Sequence, residues 1–485
     1  MKTIYIFILC MCFSITAMAQ IDRSMPPEAN IPTKLNVGKL IPITLDNGLR
    51  VYLAPVQDYP KFTISVNIEL PGYDEETRLA EKNILNTAYA NKRSEKYPNQ
   101  EIDSLVNYFG AMLNANMYGG TIKGLTQDID QLLDIYVDAL LHPVITKAYI
   151  DEKYKSELEK QKHTKNKNVE IGKPIKEFSI DAVKDSLLFG PKKDRVKTTK
   201  TAKAEYKGVT VKDVEEYKND RIVSNNALIV VVGNFSETEC KTLMNRYFGA
   251  WKTGEPYVKE SPITKKTSII QSRKIIVHDA PNAVQSKIAF SWHLGDAYTY
   301  FNNDIKLQVL NNIFGESQLS YLYKNLREDK GLCYFIRSSV GSSADGGVGA
   351  VYTSVRTAQT AYAIENIILE MLRLRNTKVS ASDLKIAKNN LIGDYTRSLN
   401  PIAPIPYITF AMQKDIYNLP DDYLQSKVEQ YYDVTIDDIM EMSQKYINPF
   451  TCVITVEGKI SELKGTLEPF GDVMYYDEQG NKLKL

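Results

Sequence analysis

Two hydrophobic rhythms run through the chain. Over residues 62–70, Phe62, Ile64, Val66, Ile68 and Leu70 take every second position, with more polar residues between them. That is the period of a strand, and Val51 to Leu53 adds a short strand-like run. Elsewhere the spacing is three-four. Ile129, Leu132, Leu133, Tyr136, Val137, Leu140 and Leu141 follow it, as do Ile364, Ile368, Met371 and Leu372. Each set predicts a helix with one apolar face. Strand and helix runs mixed in this way predict an α+β fold, with helices packed on one face of a mainly antiparallel sheet.

The pattern also repeats. Val209-Thr210-Val211-Lys212-Asp213-Val214 opens a helix with Thr210 as its N-cap and leads to an apolar strand over 227–232. Val434-Thr435-Ile436-Asp437-Asp438-Ile439 opens another and leads to a strand over 452–456. The two stretches align without a gap: Val209 falls on Val434, Asp213 on Asp438, Ile222 on Ile447, Gly233 on Gly458 and Ser236 on Ser461. The same offset pairs Leu85-Asn86 with Leu310-Asn311, and a shift of one residue pairs 62–70 with 286–294. Self-similarity of this kind predicts two homologous halves, 20–251 and 275–485, joined by the polar, proline-containing linker 252–274.

Composition narrows the classes of function. A hydrophobic content of 43% supplies sizeable cores, and a formal net charge of +1 leaves no basic excess for a nucleic-acid partner. The lysine-rich stretch 192–207 reads as a solvated loop. The chain opens Met1-Lys2-Thr3, runs mostly apolar over 4–15, and continues Ala17-Met18-Ala19-Gln20. This is the pattern of a signal peptide, residues 1–19, cleaved after Ala19. The protein is therefore expected to be exported, into the periplasm where the cell has an outer membrane. The apolar run is too short for a lasting membrane span, and nothing later reaches its length. Cys10 lies among large residues rather than the small ones of a lipoprotein site. Cys240, Cys333 and Cys452 are odd in number and far apart, which favours free thiols over a disulfide framework. A nucleophilic Cys333 would need an activating cation or base; Lys330 is the one cation close by, and no histidine is near.

Several segments, in order, resemble the pitrilysin/insulinase family of zinc peptidases across nearly the whole mature chain. They are Leu45-Asp46-Asn47-Gly48-Leu49-Arg50-Val51, Phe109-Gly110-Ala111-Met112-Leu113-Asn114-Ala115, Asp138-Ala139-Leu140-Leu141-His142-Pro143, and Gln285-Ser286. The resemblance implies two α/β-sandwich halves of the LuxS/mitochondrial-processing-peptidase type. Active members carry His-x-x-Glu-His on a helix, where two imidazoles one turn apart bind zinc and the glutamate takes a proton from the metal-bound water. Aligning Leu79-Ala80 with the residues before that motif puts Glu81-Lys82-Asn83-Ile84-Leu85 in its place. Leu85 cannot bind a metal and Ile84 cannot act as a base. The family's third ligand would fall on Glu157, Glu159 or Lys160 in the helical stretch 148–162. The histidines are His142, His163, His278 and His293, and no two lie four apart, so no alignment builds a zinc site of that type. The simpler expectations are a buried helix face of Ala80, Ile84, Leu85 and Ala88, a solvated charged helix over 152–163, and structural roles for the histidines.

One constellation is kept. Arg327 and Tyr334, in Leu326-Arg327-Glu328-Asp329-Lys330-Gly331-Leu332-Cys333-Tyr334, match the spacing of the family's C-terminal Arg/Tyr pair. The resemblance implies that the arginine bonds substrate carbonyls and the tyrosine stabilises the developing oxyanion. A fork of permanent donors suits the first role and a preorganised hydroxyl the second. The competing expectation is structural: Arg327 as a cation at a helix end, Gly331 as its C-cap, and Tyr334 half-buried at a strand start. Asn114 and Ala115 are similar to the family's edge strand, which takes peptide substrate as an added strand. Two-subunit members divide these parts between chains. The chain is thus expected to be the metal-free, substrate-binding subunit of a heterodimeric peptidase, with zinc only in its homologous partner. Two alternatives stand beside it: an inert scaffold or peptide-binding protein of the same fold, and an enzyme of unrelated chemistry, for which no nucleophile–base set is found.

Overall fold

The computed structural model describes residues 40–56, 60–69, 78–165, 179–190, 206–255, 270–295, 300, 303–343, 346–399, 405–417 and 419–484. The expected signal peptide, most of the linker (256–269) and most of the lysine-rich stretch (192–205) lie outside the described residues.

The first sheet begins with a hairpin of β1 (Ile41–Thr44) and β2 (Arg50–Pro55) around Asn47-Gly48. Gly48 takes a left-handed φ of 77°, and the Asn47 amide donates to the carbonyls of Phe248 and Trp251. The other strands are β3 (Lys61–Ile68), β4 (Met112–Asn116), β5 (Gly119–Leu125) and β6 (Ala227–Gly233). Their order is β1-β2-β6-β3-β5-β4, with β2 and β6 parallel and the other neighbours antiparallel. Helices α1 (Leu79–Ala90), α2 (Ile102–Tyr108), α3 (Ile129–Leu141), α4 (Lys147–Lys165), α6 (Val211–Arg221) and α7 (Glu237–Phe248) also come from this half. The core joins Val51, Leu53, Ile64, Val66, Ile229 and Val231 of the sheet to helical residues including Ile84, Leu85, Tyr136, Tyr217 and Phe248.

The second sheet repeats the design. Its strands are β7 (Lys274–Asp279), β8 (Gln285–His293), β9 (Cys333–Ser343), β10 (Gly346–Arg356), β11 (Val453–Gly458) and β12 (Asp472–Tyr476), in the order β12-β7-β11-β8-β10-β9. β2 corresponds to β7, β6 to β11, β3 to β8, β5 to β10 and β4 to β9. The register repeats too: Arg50 lies beside Leu228 in one parallel pair, and Lys274 beside Val453 in the other. Over this sheet lie α8 (Asp304–Asn311, continued as a wide π turn over Asn312–Glu316), α9 (Thr360–Asn376), α10 (Ala381–Ser398), α12 (Tyr423–Asp433), α13 (Ile436–Tyr446) and the short α14 (Ile460–Leu463). Gly349 is required against Trp292, because a Cβ there would stand 2.3 Å from the indole.

One feature goes beyond helices on one face. The other face of each sheet is covered by a helix from the opposite half. Leu188 of α5 (Ile180–Phe189) packs with Ile270, Ile276 and Val453 of the second half. Tyr407, Phe410 and Ala411 of α11 (Ile405–Tyr417) pack on Tyr52, Ala54, Leu228, Val230 and Val232 of the first sheet. This explains why β6 is buried at every position instead of alternating.

Candidate functional site

At two of the three positions where the zinc motif would stand, α1 carries hydrocarbon. Ile84 and Leu85 are fully buried in the first core. Glu81 pairs with Arg78 at 3.0 Å, and Arg78 also donates to the Asp213 carbonyl at 2.6 Å, tying α1 to α6. On α4, Glu157 pairs with Lys153 at 3.4 Å and Glu159 is exposed. α4 is not wholly solvated, as its charge suggests. Tyr149 and Ile150 are buried, and Tyr154 and Leu158 pack on the same core, which the four-residue spacing of 150, 154 and 158 allows. These residues do not fit a zinc ion: of the three motif positions one carries a donor, and that donor is engaged by an arginine. No group of three or more potential ligands gathers among the described residues.

The side chain of His163 lies outside the described residues, and the other three histidines stand apart. His142 ends α3 with its Nδ1 3.9 Å from Glu95, His278 lies in β7, and His293 Nδ1 accepts from the Gly295 N–H while its ring meets Phe189 edge-on. Burial pushes the Cys240 thiol up to about 12 and Cys452 to about 11, and it raises Cys333 as well, so none is poised as a thiolate.

Arg327 and Tyr334 are brought together. Arg327 rides on a π-helical segment, Tyr323–Asp329, closed by Gly331 at a left-handed φ of 59° and by the Leu332 N–H bonding the Leu326 carbonyl at 2.8 Å. Tyr334 starts β9. Cys333 pairs with Val355 and Ile336 with Thr353, so Tyr334 and Phe335 both stand opposite Ser354. This bulge turns Tyr334 outward, where it is 84% exposed rather than half-buried. The Arg327 guanidinium carbon lies 4.9 Å from the Tyr334 ring centroid and 4.8 Å from that of Tyr323. Among the described residues, no carboxylate or carbonyl is hydrogen-bonded to the half-buried Arg327 side chain. The sequence analysis does not single out Tyr323; the signal that points to it is its position four residues before Arg327.

Asn114 and Ala115 lie elsewhere, on β4, the edge of the first sheet. Among the described residues β4 is paired only with β5. Met112 and Asn114 are exposed, while Leu113 and Ala115 pack on the core. α1 packs against this strand, so the position of the lost motif and the free edge are neighbours. β9 holds the corresponding edge of the second sheet. Among the described residues no helix is long and apolar enough to cross a membrane.

Comparison with known proteins agrees with this architecture. Residues 208–391 match the family described as the peptidase M16 inactive domain. The chain is 22% identical over 57% of its length to an uncharacterized zinc protease, YmxG, of Bacillus subtilis, spanning 63% of that protein. It is 20% identical over 49% of its length to a probable inactive metalloprotease, YmfF, of the same organism, spanning 53% of it. A crystal structure of a peptidase M16 inactive domain from Pseudomonas fluorescens superposes with a TM-score of 0.68 at 15% identity, covering 88% of this chain and 98% of that one. A protease structure from Helicobacter pylori gives 0.66 at 16% identity, covering 87% and 100%. Paired sheets of one topology, the M16 match and the absent histidine pair lead to one conclusion: the chain is similar to peptidase M16 inactive domains, which its residues 208–391 match, and it lacks a His-x-x-Glu-His motif.

Proposed function

We propose that this chain is the non-catalytic, substrate-binding subunit of a heteromeric zinc peptidase. A homologous partner carries the zinc, and this chain supplies Arg327 and Tyr334 to the peptide held there. The observation that carries the reading is the contrast between two places in one molecule. Two of the three motif positions, Ile84 and Leu85, have become core hydrocarbon, while Tyr334 stands exposed with the half-buried Arg327 guanidinium against its ring. The guanidinium donates to peptide carbonyls in a fixed planar fork. The Tyr334 hydroxyl donates to the oxygen on which negative charge develops, and such a donor strengthens as the charge forms. The β4 edge, with Asn114 and Ala115, offers backbone groups to an extended peptide. The two homologous halves span 20–251 and 275–485, and the protein works after export, in the periplasm. The probable inactive metalloprotease among its relatives is consistent with a chain that does not cleave alone.

The test is purification of the tagged protein from its own cells, followed by zinc analysis and peptide cleavage. A His-x-x-Glu-His partner should come with it, cleavage should need both chains, and Tyr334→Phe should lower kcat by about 100-fold, the loss of one oxyanion donor. A protein that arrives alone, metal-free and inert, yet retains peptides, would be a peptide-binding scaffold instead.

A further inference from the structure

Arginines that must hold one orientation are usually fixed by a carboxylate, but a carboxylate occupies the donors that a substrate needs. Arg327 is held differently. Its guanidinium lies over two aromatic rings, Tyr323 on its own helical segment and Tyr334 on β9, at 4.8 and 4.9 Å from their centroids. The nearby carboxylates Glu328 and Asp329 are exposed and are not paired with it. A ring face attracts the cation and orients its plane while leaving every N–H free. The segment beneath is braced as well. Asn325 donates to the buried carboxylate of Glu370 at 2.6 Å, Lys330 donates to Asn325 Oδ1 at 2.6 Å, and Leu326 is fully buried.

We infer that Tyr323 is a positioning residue: with Tyr334 it forms an aromatic clamp that orients Arg327 by stacking and keeps its donors for substrate. The clamp itself is a property of this chain alone; its use on a peptide rests on the reading of Arg327 as a substrate-binding group. An arginine already ordered loses less side-chain freedom when the peptide arrives. Removing the ring should therefore weaken binding more than the chemical step.

Two measurements separate the clamp from the proposed function. In the full chain labelled with 15N-arginine, the Nε–Hε resonance of Arg327, assigned with Arg327→Lys, should carry a ring-current shift. Tyr323→Leu and Tyr323→Met should move it toward the exposed arginines, and Tyr323→Phe should leave it in place. A resonance that ignores both non-aromatic variants overturns the clamp. In the peptidase assembled with its co-purified partner, with a fluorogenic peptide as substrate, Tyr323→Leu should lower kcat/KM about fivefold, chiefly through KM, as expected for one exposed cation–π contact. Tyr323→Phe should restore it. If Arg327→Ala impairs cleavage while Tyr323→Leu changes neither the resonance nor KM, the clamp falls and the proposed function stands. If the resonance moves as expected but Arg327→Ala leaves cleavage intact, the proposed function falls and the clamp survives as a structural device.

Discussion

At the scale of single residues, the loss of the zinc motif is a change of solvent as much as of ligands. Ile84 and Leu85 do not face an open chamber with the wrong side chains; both are fully buried among Tyr136, Tyr217 and their neighbours. Restoring the motif by Glu81→His, Ile84→Glu and Leu85→His would place a carboxylate and an imidazole in that core. A buried charge without a partner costs more than about 3 kcal/mol. The triple variant should therefore unfold at markedly lower urea and bind zinc only weakly, measured by denaturant titration and metal analysis of the folded fraction. A stable variant holding one zinc per chain would contradict this. The sequence made the loss legible by simple counting, since no two of its histidines lie four apart. It could not show that Glu81 is taken by Arg78, because that pairing depends on α6 reaching across to α1.

At the scale of elements, the two halves share devices as well as topology. Thr210 caps α6 and Thr435 caps α13, and each donates its backbone N–H in return to the carboxylate three residues on, Asp213 and Asp438. The repeat in the sequence placed these residues correctly because a capping box is local, readable from four consecutive positions. Burial would raise the Asp438 carboxyl, but Lys306 of α8 and the bonds from Thr435 outweigh it and push it down to about 2. Asp213 is lowered chiefly by the Thr210 hydroxyl. Both values lie below those of an unfolded aspartate. Their stabilisation is therefore fully present above about pH 4 and is lost as the pH falls toward the folded values. Asp438→Asn should thus lower stability by about 1 kcal/mol at neutral pH and by much less near pH 2.5. Urea midpoints for both proteins at the two pH values check this; an equal loss at each would remove the carboxylate from the explanation. The exchange of α5 and α11 was not legible. Residues Val183, Leu187 and Leu188 announce an apolar face without saying which sheet receives it.

At the scale of the molecule, that exchange decides how the halves depend on each other. Each sheet has one face covered by its own helices and part of the other by a helix that the opposite half contributes. Taking α11 away would bare Tyr52, Leu228, Val230 and Val232; taking α5 away would bare Ile276 and Val453. Neither half can therefore close its own apolar surface, although each carries a complete six-stranded sheet. Exposed apolar patches of that kind drive association or aggregation. The expectation is a single cooperative unfolding transition for the whole chain, with calorimetric and van't Hoff enthalpies in agreement. Phe410→Ala, in the second half, should cost about 3–5 kcal/mol, and Leu188→Ala, in the first, about 2–5 kcal/mol. Both should move that one transition as a unit. If either variant instead splits the melt into two steps, the exchanged helices are ornaments on independent domains. If the melt stays single and shifts, the coupling has a consequence for the proposed role: the β4 edge in the first half and Arg327 with Tyr334 in the second are then presented to a peptide by one cooperative body, with neither half able to unfold while the other keeps hold.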